Sequence, residues 1–213
     1  MKRSDIINYA MTLEGETGHC EVLNIYNSQK DLPRNYAVRL NDAWCATFVS
    51  AIFLKYGWSS ISECSCQKMI DKAKKITRWC DASYKAGKGD IIMYDWFNNG
   101  SADHVGIICD VTDTAYIVRE GNKNKTIGNR TVMKNDTCIE GFIIPPYEEE
   151  SHKDKLLERV EGINFELLYK YSGAEGVKQE MLKLIIQLQQ RLLTLTQQVI
   201  ILDIRIWQPV LVR

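Results

Sequence analysis

The sequence predicts an α+β fold, with N-terminal helices packed on an antiparallel sheet and a C-terminal helical hairpin or coiled coil behind them. Three observations carry that reading. Apolar residues recur at helical spacing up to about residue 76, then fall into short runs bounded by Gly, Asn and Asp between about residues 87 and 144. Helices gathered first and strands gathered second indicate segregated layers rather than alternating βαβ units. After Pro145-Pro146 the composition turns charged and then leucine-rich, which divides the chain into a first domain, 1–147, and a linker with helical tail, 148–213.

The composition bounds the function classes. With 45% hydrophobic and 25% charged residues, the 213-residue chain can bury a real core. Lys+Arg and Asp+Glu both number 27. That balance offers no basic excess for phosphate, so nucleic acid is not an expected partner. The seven cysteines are an odd number in a chain too long to need staples, which points to reduced thiols. Cys64, Cys66 and Cys80, with His19 or Cys20, are the residues a zinc site would use. However, Cys64-Ser65-Cys66 lacks the usual ligand spacing and no second pair answers it. The basic start Met1-Lys2-Arg3 leads into an apolar run that breaks at Glu14 and Glu16, without a signal-peptide core. Asn99, Asn124, Asn129 and Asn135 open Asn-x-Ser/Thr triplets and read as an Asn-rich loop region.

Residues 4–14 read as a short helix with Ile6, Ile7, Ala10 and Met11 on one side, and 15–40 as polar loop. The next helix, 43–56, shows one buried face in Phe48, Val49, Ile52 and Phe53, and Gly57 ends it. Asp42 is its expected N-cap, which makes Cys45 the third helical residue. A thiol there meets unpaired N–H groups and a helix dipole that favour the thiolate, while the charge of Asp42 works against it. Taken alone, the segment reads more readily as a small buried thiol on an apolar face. A third helix is expected over 62–76. Strands follow at 91–94, 104–109, 115–120 and 141–144.

The middle strand pair allows a sharper inference. Residue 112 lies midway between His104 and Glu120, inside the turn Val111-Thr112-Asp113-Thr114. A hairpin folded there sets His104 opposite Glu120, give or take one residue, with Cβ atoms about 4.5–5.5 Å apart. Asn122 returns to that face if the strand continues through Gly121. A cysteine opening a helix and a histidine held by a carboxylate are the parts of a thiol nucleophile with its general base. Spacing does not show that Cys45 meets His104.

Four segments in order carry a resemblance that does. Ala43-Trp44-Cys45-Ala46-Thr47-Phe48-Val49-Ser50, Gly89-Asp90-Ile91-Ile92-Met93-Tyr94-Asp95-Trp96, Asp103-His104-Val105-Gly106-Ile107-Ile108 and Glu120-Gly121-Asn122 resemble the motifs of CHAP domains. Those are cysteine, histidine-dependent amidohydrolases and peptidases of papain-like fold, related to the NlpC/P60 group and common in bacteriophage endolysins. The resemblance covers about residues 1–147. It implies that Cys45 is the nucleophile, His104 the general base and acid, Glu120 the residue that orients the histidine, and Asn122 the polar residue completing the site. It further implies a peptidoglycan hydrolase, cutting as an N-acetylmuramoyl-L-alanine amidase or as a stem or cross-bridge endopeptidase. Backbone N–H groups at the helix start would hold the oxyanion, and Trp44, Tyr94 and Trp96 would line the cleft. No cofactor is expected. Some members bind calcium before the cysteine helix, but Asn41-Asp42 matches that loop too thinly to assign it.

In the tail, Leu156, Leu157, Val160, Ile163, Leu167 and Leu168 suit a helix up to about Tyr171. Over 177–207 a seam runs through Val177, Met181, Leu184, Leu188, Leu192, Leu195, Val199, Leu202 and Ile206, in steps of 4 and 3 with a stutter after Leu188. Such a helix is roughly 46 Å long and is read as an oligomerisation or docking element. Arg191, five glutamines and the neighbouring Asp203 and Arg205 argue against a membrane span. The expected setting is a host bacterial cytoplasm, with action on the wall after release. Two other readings remain: a non-catalytic coiled-coil interaction protein on the same fold, and an intracellular thiol amidase acting on a small amide.

Overall fold

Helices do come before most of the sheet, in the order the hydrophobic pattern implies. The structure, a computed structural model, describes residues 1–148, which form one compact unit. The helices expected up to about Tyr171 and over 177–207 lie outside the described residues. Within these the helices are Arg3–Thr12 (α1), Gly15–Asn27 (α2), Cys45–Lys55 (α3) and Cys66–Lys75 (α4). The strands are Trp79–Asp81 (β1), Ile91–Tyr94 (β2), His104–Val111 (β3), Ala115–Lys123 (β4), Thr126–Met133 (β5) and Ile139–Ile143 (β6). They make one antiparallel sheet in the order β1-β6-β2-β3-β4-β5.

The core is layered around α3. Every residue from Cys45 to Phe53 is buried, so this helix is enclosed on all sides rather than on the single expected face. It packs against α1 and α2 on one side and against β3 and β4 on the other. Ile91, Met93, Val105, Ile107 and Ile143 join the helices in the main core. Their alternates Ile92, Tyr94, Ile108, Val118 and Phe142 form a second cluster, as strand alternation requires of the opposite face.

Several expectations need correcting. Residues 15–40 are not all loop, because α2 occupies the first half. Its opening Gly-Glu-Thr-Gly has poor helix propensity, and packing of Val22, Leu23 and Tyr26 supplies what propensity does not. A Cβ at Gly18 would stand 3.0 Å from the backbone carbonyl carbon of Leu13, which leaves little room for a side chain there. In α1 only Ile6 and Ala10 are buried, and Met11 is exposed. The third helix starts at Cys66 rather than Ser62. Ser65 caps it, and the Ser62 hydroxyl donates instead to Gln29 Oε1 (2.8 Å). Strands β1 and β5 were absent from the expected set, and both are sheet edges, where one side faces solvent and the apolar signal thins. Asn129, assigned to an Asn-rich loop, lies in β5 and accepts a hydrogen bond from Arg119 Nη1 (3.1 Å). The buried Arg119 also donates to the carbonyls of Ala10 (3.3 Å) and Leu13 (2.7 Å), satisfying the end of α1.

Candidate active site

Cys45 is the first residue of α3, and the residue before it, Trp44, is the N-cap. Asp42 is therefore not the cap. Its carboxylate accepts from the Arg39 N–H (2.8 Å) and the Tyr36 hydroxyl (2.7 Å), closing a turn in the preceding loop. Cys45 thus stands earlier in the helix than expected, free of an acidic cap. The first backbone bond of this helix runs from Phe48 N–H to Trp44 O (2.9 Å), so the N–H groups of its first turn have no backbone acceptor within the helix. Trp44 is buried and stacked on His19, with ring centroids 3.9 Å apart, which pins the helix start. It belongs to the core rather than to a cleft wall.

The hairpin of β3 and β4 carries the imidazole and the carboxylate. Its turn closes with Thr112 N–H on Ala115 O (2.9 Å), and a bulge intervenes between Ile108 and Asp110. Below the bulge Ile107 faces Arg119, which places Gly106, not His104, across from Glu120. The slip from the expected register is two residues, one more than allowed for. Because strand faces alternate with period two, a two-residue slip leaves His104 and Glu120 on the same face. Gly106 lets Glu120 slant across, since a Cβ at that position would come within 2.9 Å of Glu120 Cγ. His104 Nε2 lies 3.2 Å from Glu120 Oε2, an ion-pair contact whose N–H is not aligned as a full hydrogen bond.

Glu120 is wholly buried and has a second cation that sequence reasoning missed. Arg130 Nε, on β5, lies 2.8 Å from one carboxylate oxygen and 2.9 Å from the other. A buried carboxylate needs such partners to stay in the fold. The signal was hidden because β5 itself was read as loop. The Arg130 guanidinium also sits over the Trp96 ring, 5.0 Å from its centroid. Tyr94 is buried and stacks on both Trp96 (4.6 Å) and His104 (5.8 Å), so it braces the imidazole instead of meeting solvent. Trp96 is 37% exposed and remains available to a ligand.

The thiol and the imidazole act on one another. Cys45 is held well below the usual thiol range by a hydrogen bond from Cys66 and by the bond and charge of His104, against the opposing effect of burial. Burial pulls His104 down, but Cys45 and Glu120 outweigh it and lift the imidazole to about 9. Between these two limits the stable form is a thiolate beside an imidazolium. Cys66, the first residue of α4, places its Sγ 3.6 Å from that of Cys45.

Asn122 stands apart in its backbone conformation. It sits in a register shift between Glu120 and Lys123 with a left-handed backbone (φ +57°), so the alternation expected to return it to the face is broken. Among the described residues no hydrogen bond ties its amide to Cys45, His104 or Glu120. No cluster of three His, Cys, Asp or Glu stands ready for a metal ion among the described residues, and this includes the cysteines weighed for zinc. An open cavity of about 390 Å³ adjoins the helix start, lined by Arg34, Tyr36, Val38, Asp42, Ala43 and Cys64. No described helix is long and apolar enough to cross a membrane.

With that geometry in place, comparison with known protein families gives a match. The family model described as CHAP domain covers residues 36–122, from the loop before α3 to the end of the Glu120-Gly121-Asn122 segment. No curated protein matches the chain.

Proposed function

We propose, for a chain whose residues 36–122 match the CHAP domain family, that it hydrolyses an amide bond of bacterial peptidoglycan by thiol catalysis. The domain family is one of cysteine, histidine-dependent amidohydrolases and peptidases, and peptidoglycan is the substrate it suggests. One observation supports the particular mechanism: His104 of β3 lies 3.2 Å from the buried Glu120 of β4 and interacts electrostatically with the Cys45 thiol at the start of α3.

In this reading the Cys45 thiolate attacks the amide carbonyl carbon, and the resulting oxyanion is held by backbone N–H groups at the start of α3. With Nε2 turned to Glu120, the other ring nitrogen of His104 serves the reaction. It gives its proton to the leaving amine as the C–N bond breaks, which leaves a thioester on Cys45. Neutral His104 then takes a proton from water. The hydroxide adds to the thioester, and the thiolate leaves with the acid product released. Glu120 keeps the imidazole in one tautomer and orientation, and Arg130 holds Glu120 in place. Substrate lies across the α3 start, between the cavity at Tyr36 and the exposed Trp96 and Phe97. The chain works as a lytic enzyme in the manner of a phage endolysin, cutting either the muramoyl–alanine amide or a peptide of the stem or cross-bridge.

Clearing of purified cell-wall suspensions by wild type and Cys45→Ser tests this. Wild type should clear the suspension, and the variant should leave it turbid. Equal clearing would remove Cys45 from the reaction. Mass spectrometry of the digested walls, reading the new termini, assigns the bond.

A further inference from the structure

Two helices begin at the same place. Cys45 is the first residue of α3 and Cys66 the first residue of α4, and their sulfurs are 3.6 Å apart. Both residues are only 6% exposed. Each sulfur sits where its helix presents unpaired N–H groups and the positive end of its dipole, so the pair is built to share one negative charge. The start of α4 is also fixed. Ser50 of α3 donates to Glu63 O (2.7 Å) and accepts from Glu63 N–H (2.9 Å), Ser65 caps the helix, and Gln67 Oε1 accepts from Ala102 N–H (3.1 Å) just before His104. The buried carboxylate of Glu63 meets Arg34 and Lys72, which anchors the same segment. Nothing in the reaction proposed above uses Cys66.

We propose that Cys66 is a second working thiol of this site: it donates an S–H···S⁻ hydrogen bond that holds the Cys45 thiolate, and it closes a disulfide with Cys45 when peroxide oxidises that sulfur. The first part makes Cys66 a positioning residue, and this role rests on the catalytic assignment of Cys45. The groups facing the pair fix which sulfur carries the charge. His104 and the Ala46 N–H favour the thiolate on Cys45, while Asp103 disfavours a second thiolate on Cys66. The same hydrogen bond, and then burial, hold Cys66 protonated, well above the usual thiol range.

The oxidation balances with hydrogen peroxide as the oxidant. The Cys45 thiolate attacks one peroxide oxygen, the O–O bond breaks, and sulfur gives up two electrons to form a sulfenic acid with release of hydroxide. Cys66 then attacks that sulfur, and the S–S bond forms as the S–O bond breaks. The proton of Cys66 and the departing hydroxide leave as water. In sum, two thiols and one peroxide become a disulfide and two waters. A dithiol reductant reverses it, whereas a Cys45 without a neighbour proceeds to the irreversible sulfinic acid.

The test uses the full chain as wild type, Cys66→Ser and Cys66→Ala, each checked for folding by circular dichroism. The rate of Cys45 alkylation by iodoacetamide is followed against pH. Loss of the donor in Cys66→Ala should move the midpoint up by about one pH unit and slow alkylation about tenfold at pH values below the wild-type midpoint. Cys66→Ser, which keeps a donor, should move it less. An unmoved midpoint in both variants overturns the positioning role. Peroxide-treated wild type, digested with trypsin without reduction, should give a cross-linked peptide pair, with fragment ions placing the bond at Cys66 rather than Cys64. Cys66→Ala should accumulate sulfinic acid at Cys45 that a dithiol does not reverse. Oxidation of wild-type Cys45 without that cross-link overturns the disulfide. Both readouts are chemical, so they are separate from wall clearing, the test on which the hydrolase reading itself fails.

Discussion

At the scale of single residues the balance of charge around His104 governs the chemistry. Its imidazole is held between the Cys45 sulfur and the Glu120 carboxylate and is lifted to about 9, against an ordinary value of 6.5. A group raised in this way adds stability in full below 6.5 and loses it as pH climbs through about 9. Activity follows the same limit, because the leaving amine needs the imidazolium proton. The kcat/KM of wall hydrolysis should therefore fall above about 9. Glu120→Gln removes one of the two groups that raise the imidazole, so this basic limb should shift to lower pH and the rate should drop about 10²-fold or more. A pH–rate profile of both proteins checks this, and a basic limb unmoved in the variant would take Glu120 out of the chemistry. Glu120 was legible in the sequence because face parity survives a register slip of two. Arg130 was not. It lies diagonal to Glu120 across the β4–β5 pair, with Arg130 facing Val118 and Gly128 facing Glu120, and that pairing leaves little hydrophobic trace.

At the scale of elements the site depends on how closely α3 lies on β4. Gly121 sets that distance, since a Cβ there would stand 2.4 Å from Phe48 Cβ and 2.7 Å from Trp44 Cζ3. The Cβ of Phe48 cannot rotate out of the way, so Gly121→Ala must push the helix off the sheet. Overpacking of this kind lowers stability by about 1–3 kcal/mol. A displacement near 1 Å at the nucleophile lowers activity about 10²-fold. Thermal unfolding and wall clearing, measured below the variant's transition, should show the loss of activity exceeding what the unfolded fraction explains. Full activity in Gly121→Ala would mean that the helix position is not critical. The same scale shows what sequence reading reaches. The enclosed helix α3 and the buried strands β2, β3 and β4 announce themselves by dense apolar residues. Helix α2 and the edge strands β1 and β5 do not, because partners elsewhere in the chain hold them. The cap of α3 was misplaced because Asp42 has the right chemistry for a cap but is spent on a turn two residues earlier.

At the scale of the whole molecule the site exists only where distant segments meet. Residues 45, 66, 104, 120 and 130 are separated by helix, loop and strand, and none of their spacings alone implies a nucleophile with its base. Ordered motifs pointed to Cys45, His104 and Glu120 but not to Cys66 or Arg130, and α3 packs directly against β3 and β4. The central claim is the pairing of the Cys45 sulfur with the His104 ring across that packing. Thiolate ultraviolet absorbance, titrated on the full chain and corrected by subtracting a Cys45→Ala spectrum, measures it most directly. The expected result is a Cys45 thiolate already present at neutral pH in wild type, whose titration moves to markedly higher pH in His104→Ala. A Cys45 titration that is the same with and without the imidazole would contradict the pairing.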